Sequence, residues 1–337
     1  MMNEFMPSGA PLTFHSPAPD PKREEKKKVR RAALLIAIPL VFLTLFSNGW
    51  FLLLTGVLSA FGISPQTTYD FVFEAGTREA VQLLLSMILF LLPFSAVAKA
   101  SKHRLSDLVL TAAVSVKDGG PLFLFGVGFC AFANIATSIA GQIFQNFGVD
   151  YSVDFGDSPR GIYGFCLAVL STAVVPALVE EFATRGVVMG LLKPFGDGFS
   201  ILVSSILFGA MHGNFQQMPF AFLVGLVLGY IRVATGSIWV CVLVHGFNNL
   251  LSTLFDYFLN DRTAAEKNTA FLIVLMVMLL IGILSMKTFR EGRAAATLKS
   301  AEEREVPAKE RYKWFFSSPW ILLFLVIVLV ESCAFFV

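Results

Sequence analysis

Two adjacent glutamates and an arginine stand inside an apolar run, "AVVPALVEEFATRGVVMG" at 173–190. Ionisable groups at membrane depth are costly, and they mark function by default. The chain has four histidines. His15 and His103 lie in polar stretches, whereas His212 and His245 lie in "LFGAMHGNF" and "LVHGFNNLL", again within apolar runs. With Asn249, these residues fall on three neighbouring apolar segments. Hydrolysis of a peptide bond needs a base to activate water and donors to stabilise the tetrahedral oxyanion. A buried glutamate has the chemistry of the base, a neutral histidine that of a group holding the water or a metal, and His245 and Asn249 that of oxyanion donors. Glu180, His212 and His245 would equally supply three ligands to a catalytic zinc with an open fourth position. No HExxH spacing occurs, so zinc is compatible with the sequence but not demanded by it.

Helical spacing sorts the two glutamates. Glu181 and Arg185 are four apart, face each other and can pair. Glu180 is rotated about 100° away, so it need not share that partner. One glutamate can then be structural while its neighbour is free for chemistry. Phe208 and His212 share a helical face by the same spacing, as do His245 and Asn249. Gly209, Gly213 and Gly246 would allow close approach beside the histidines. Pro176, four residues before Glu180, would bend its helix and free backbone groups.

The composition says what positions these residues. Of 337 residues, 55% are hydrophobic and only 15% charged, with 35 phenylalanines. Soluble domains carry charge at about a quarter of positions. The expected fold is an all-α, polytopic transmembrane helical bundle. About nine spans are expected, at roughly 32–61, 80–98, 121–146, 161–192, 199–213, 218–234, 237–259, 269–286 and 317–337, with 105–116 too short to cross. Alternating these spans from a cytoplasmic N-terminus puts nearly every Lys and Arg on one side. The exceptions are Arg78, Arg160, Arg262 and Lys267, and the intramembrane Arg185. That is the positive-inside pattern.

The chain then divides into a disordered basic cytoplasmic arm (1–31), N-terminal spans with a cytoplasmic loop (32–119), a core (120–286), a charged cytoplasmic linker (287–316) and a C-terminal span (317–337). The arm is too long and too charged for a cleavable signal. Cys130, Cys166, Cys241 and Cys333 are scattered through apolar runs and are expected as buried free thiols, with no disulfide framework. The net charge of +2 gives no reason to expect nucleic acid as a partner.

Three motifs in order, "EEFATR" at 180–185, "FGAMH" at 208–212 and "HGFNN" at 245–249, resemble the CAAX-processing and bacteriocin-processing intramembrane proteases, the CPBP or ABI family. That family's pattern is EExxxR, FxxxH and HxxxN or HxxxD on successive membrane helices. The resemblance covers roughly 120–285. It implies that Glu180 is the catalytic glutamate acting on a water also held by His212. It implies that His245 and Asn249 stabilise the oxyanion, that Glu181 and Arg185 are the supporting ion pair, and that Phe208 packs the second motif. Members are described both as metalloproteases and as glutamate-dependent proteases. The implied activity is an intramembrane endopeptidase acting on a membrane-anchored or lipidated peptide within the lipid bilayer. The implied place is a multi-pass cell membrane, read as the bacterial plasma membrane. A non-catalytic membrane scaffold or bacteriocin-immunity protein, and a proton-coupled transporter, are the competing readings.

Overall fold

The computed structural model describes residues 20–149, 161–291 and 306–334, and the secondary structure there is helical apart from an isolated bridge between Thr111 and Ser237. The helices are α1 (Pro21–Ala60), α2 (Pro65–Val72), α3 (Ala75–Ala100), α4 (Leu105–Leu108) and α5 (Val116–Asn146). A long rod follows, made of α6 (Gly161–Ala168), a π segment (Val169–Val174), α7 (Val175–Glu181), a second π segment (Phe182–Val188) and α8 (Met189–Leu192). Then come α9 (Asp197–Ala210), α10 (Met218–Thr235), α11 (Trp239–Leu259), α12 (Ala264–Glu291), α13 (Ala308–Phe316) and α14 (Pro319–Ala334).

Each of the nine expected spans contains a helix. Six stretches are long and apolar enough to cross a membrane: Pro21–Ser47, Gly76–Ala100, Val116–Asn146, Gly161–Phe195, Met218–Thr235 and Ala264–Met286. The pair α13 and α14, bent by 65°, brings the number to as many as seven. The remaining expected spans are α9, which has only 14 residues, and α11, which has the length but carries His245, Asn248, Asn249 and Asp256.

The basic run "PKREEKKKVRR", which the sequence groups with the arm, is helical. Asp20 caps α1 by accepting from Lys22 N at 3.0 Å, Pro21 sits where a missing N–H costs nothing, and Glu24 pairs with Lys27 at 2.7 Å. The rest of the expected arm, 1–19, lies outside the described residues, as do 292–305 of the expected linker. The linker's far end is ordered as α13, with Trp314 and Phe315 buried. Arg311 of α13 donates to the carbonyl of Phe195 and lies 3.6 Å from Glu25 of α1.

The main apolar core joins α1, α3, the rod, α9, α13 and α14. A second cluster joins α5, α10 and α11. In addition, α5 packs along α12 so closely that a Cβ on Gly128 would stand 2.4 Å from Gly282 Cα. The four cysteines are unpaired. Cys130 and Cys241 are buried, but Cys166 and Cys333 are exposed, which corrects the expectation that all four are buried. An apolar residue facing outward on a membrane helix does not require burial in protein.

Candidate active site

The candidate site lies on the rod between two π segments that interrupt its α-helical ladder. Pro176 has no N–H to give its helix, and the π segment Val169–Val174 lies immediately before the turn it opens. A second π segment begins directly after Glu181. Such bulges shift the register of side chains and recur at functional sites. Between them α7 is only 7 residues long and carries both glutamates.

Glu181 is fully buried and its Oε1 receives two donors. Arg185 Nη1 donates at 2.9 Å, and His245 Nδ1 donates at 2.9 Å from α11. Arg185, also fully buried, donates to Thr184 Oγ1 at 2.8 Å and to the Gly225 carbonyl of α10 at 3.3 Å. Its guanidinium lies 4.2 Å from the centre of the Phe208 ring, within cation–π range. Phe208 also meets His212 and His245 edge-on, with ring centres 5.2 and 5.8 Å away. The sequence reading gave Phe208 only a packing role. In the fold it is the surface on which the arginine and both histidines rest.

His212 ends α9, where its Nδ1 lies 2.7 Å from the Phe208 carbonyl. A carbonyl only accepts, so Nδ1 carries the proton. The same logic assigns a proton to His245 Nδ1 facing the Glu181 carboxylate. Each ring therefore leaves Nε2 for the pocket. In the neutral ring Nε2 accepts; it donates only in the imidazolium. Glu180 Oε2 is buried without a hydrogen-bond partner and lies 4.0 Å from His245 Nε2.

His245 Nδ1 reaches Glu181 Oε1 across 64 positions of the chain. The start of α11 is tied to the chain between α4 and α5, where Ile238 N donates to Leu110 O at 2.8 Å.

Asn249 Nδ2 donates to Thr172 O of the first π segment at 3.1 Å, leaving a second amide proton. Its Oδ1 accepts from Asn248 at 3.3 Å. Glu180, His212, His245, Asn248 and Asn249 line one pocket of about 220 Å³, together with Gln82 of α3 and Gln217. Asn248, Gln82 and Gln217 were missed in the sequence. The doubled asparagine was a signal for the first; nothing distinguished the two glutamines from surface residues.

Ser171 of the first π segment donates to Glu79 of α3, and both are buried. Arg78 lies 3.4 Å from the same carboxylate. This contact spans 92 positions and was invisible to local spacing. Of the glycines, Gly209 does permit close approach: a Cβ there would stand 2.9 Å from Met218 O. Gly213 instead supplies a left-handed turn at φ +67°. At Gly246 a Cβ would make an ordinary contact.

Among the described residues, no group of three His, Cys, Asp or Glu side chains stands close enough to hold a metal ion. As arranged, Glu180, His212 and His245 do not fit a zinc site.

Residues 163–251 match the family model described as Rce1-like, type II CAAX prenyl endopeptidase Rce1-like. This stretch is similar to that family. It contains Glu180, Glu181, Arg185, Phe208, His212, His245 and Asn249, the positions that carried the resemblance, and is narrower than the 120–285 expected from sequence. Comparison with curated proteins gave no match, and comparison with solved structures gave none. The Rce1-like stretch does not include α1 or α3, although Gln82 of α3 closes one wall of its pocket.

Proposed function

We propose that this protein is an intramembrane endopeptidase that hydrolyses a membrane-anchored or lipidated peptide by glutamate-activated water. The observation that carries the reading is the division of labour between adjacent glutamates. Glu181 holds Arg185 and His245 through one oxygen, while Glu180 Oε2 has no partner and faces His245 Nε2 across 4.0 Å. The Rce1-like match over 163–251 supports the same class of reaction.

In this reading a water sits between Glu180 and the Nε2 atoms of His212 and His245. Glu180 takes a proton as the water's oxygen attacks the scissile carbonyl. The developing oxyanion is met by the second amide proton of Asn249 and by Nε2–H of His245, which enters the step as an imidazolium facing both glutamates and keeps its proton throughout. Glu181 stabilises the imidazolium and fixes its orientation. Glu180 then returns its proton to the leaving amine. No step is routed through a metal.

The setting is part of the proposal. The chain spans the plasma membrane of a bacterium nine times, N-terminus in the cytoplasm, with α9 and α11 among the spans. The loop charges support that orientation. The reading is tested with purified protein in nanodiscs and a set of membrane-anchored reporter peptides. Cleavage by the wild type that is lost in Glu180→Gln supports it. Uptake of solute by proteoliposomes without any cleavage would replace it with the transporter reading.

A further inference from the structure

Two further cavities adjoin the catalytic pocket. Glu180, His212 and Gln82 line both the catalytic pocket and a mostly apolar cavity of about 360 Å³ between α1, α2 and α3. On the other side, Gln217 and Phe220 are shared between the catalytic pocket and a polar cleft of about 500 Å³. Among the described residues, none that lines the cleft is charged. Its wall is a row on the second half of α5, from Asn134 through Ser138 to Gln142 and Gln145, faced by Gln216 and Ser252.

The cleft is tied to the site by one side chain. Asn214 Nδ2 donates to His212 O at 2.9 Å and to Gln217 Oε1 at 2.8 Å. The row from Asn134 to Gln145 is about 16 Å long at helical rise, which matches about five residues of extended chain. Side-chain amides offer both donors and acceptors, as an extended peptide backbone does.

The opposite end of the site is closed. Arg232 Nη2 donates to Leu108 O at 3.1 Å, and Thr111 bridges Ser237. A Cβ on Gly190 would stand 2.8 Å from Leu108 Cα, so the chain at α4 is pressed against the rod. Lys117, Lys193 and Arg232 lie at that closed end of their helices, and the cleft lies toward the other.

We infer that the polar cleft is the peptide subsite of the proposed protease: it takes an extended, uncharged polar segment of the substrate and admits it from the face opposite the basic loops. The inference rests on the protease reading and the orientation given with it. A cleft of this volume exceeds what one water path requires, since a water occupies about 30 Å³.

The test uses full-length Glu180→Gln protein in nanodiscs, so that binding is read without cleavage. The probe is a fluorescent peptide with one membrane-spanning helix and a six-residue Ser/Asn/Gln segment beside it. A second probe carries two lysines in that segment. The pair Gln142→Glu and Gln145→Glu alters two exposed positions and leaves the core intact. The inference predicts that the double variant binds the neutral probe about tenfold more weakly, as expected for loss of one to two net hydrogen bonds. It should bind the lysine probe more tightly than the unsubstituted background does. Unchanged affinity for both probes would overturn it. So would a turnover defect, in the Glu180-containing enzyme, with unchanged probe affinity, which is the signature of a water path. If the binding pattern appears but wild type cuts no probe, the subsite stands and the protease reading falls.

Discussion

Glu181 Oε1 lies 2.9 Å from His245 Nδ1 and the same distance from Arg185 Nη1, so one carboxylate oxygen joins α7 to α11 and to its own next turn. Its neighbour Glu180 has no such attachment through Oε2. The two adjacent glutamates should therefore respond in opposite ways to the same substitution.

Glu181→Gln keeps the side-chain shape and removes the charge that compensates a fully buried arginine. Breaking a buried pair by removing one partner costs on the order of 3–5 kcal/mol. Glu180→Gln removes no hydrogen bond at Oε2 and takes away a buried charge that has no donor there, so it lacks that penalty. Thermal unfolding in detergent should give a clearly lowered midpoint for the first and no comparable loss for the second. Equal midpoints would remove the structural role from Glu181.

Phe208 carries the guanidinium of Arg185 and the edges of both histidine rings. Phe208→Leu retains most of the volume and loses the π face. A desolvated cation–π contact contributes about 2 kcal/mol. The variant should fold with reduced stability and turn over more slowly. Phe208→Tyr should retain both properties if its hydroxyl is accommodated; activity lost in Tyr but kept in Leu would mean that the ring face is irrelevant.

The contact from Ser171 to Glu79 steadies the π segment whose Thr172 carbonyl receives Asn249. Ser171→Ala should lower kcat more than it raises KM, because in the proposed mechanism Asn249 acts on the transition state. Glu79→Gln, which can still accept from Ser171, should recover most of the activity that Glu79→Ala loses. A matching loss in both Glu79 variants would show that the charge, not the hydrogen bond, is what matters.

The proposed mechanism holds its water without a metal. Activity should persist after dialysis against a strong chelator, in protein whose zinc content is below a few per cent of the enzyme. Loss of activity on chelation with full recovery on adding zinc would replace the glutamate–water account with a metalloprotease.

Much of this was legible in the chain because it is local. The pairing of Glu181 with Arg185 and the shared faces of Phe208 with His212 follow from a four-residue spacing on a helix. The π segment before Pro176 lies where that residue's missing N–H interrupts the helical ladder. What escaped is what depends on the path of the chain in three dimensions. His245 reaches Glu181 across 64 positions of the chain. The Glu79–Ser171 contact joins positions 92 apart. Gln82 and Gln217 became site residues only when α3 and the α9–α10 turn closed around Glu180. The π segments also hide from sequence, since the helical period that made the glutamates readable assumes an unbroken ladder.

The most direct measurement is the rate of cleavage of a membrane-anchored reporter peptide by wild type and Glu180→Gln at matched folding and reporter binding. General-base catalysis contributes about 10²–10⁴ in rate. The account predicts a fall of that size in kcat for Glu180→Gln with reporter affinity unchanged. Cleavage by Glu180→Gln at the wild-type rate would contradict it.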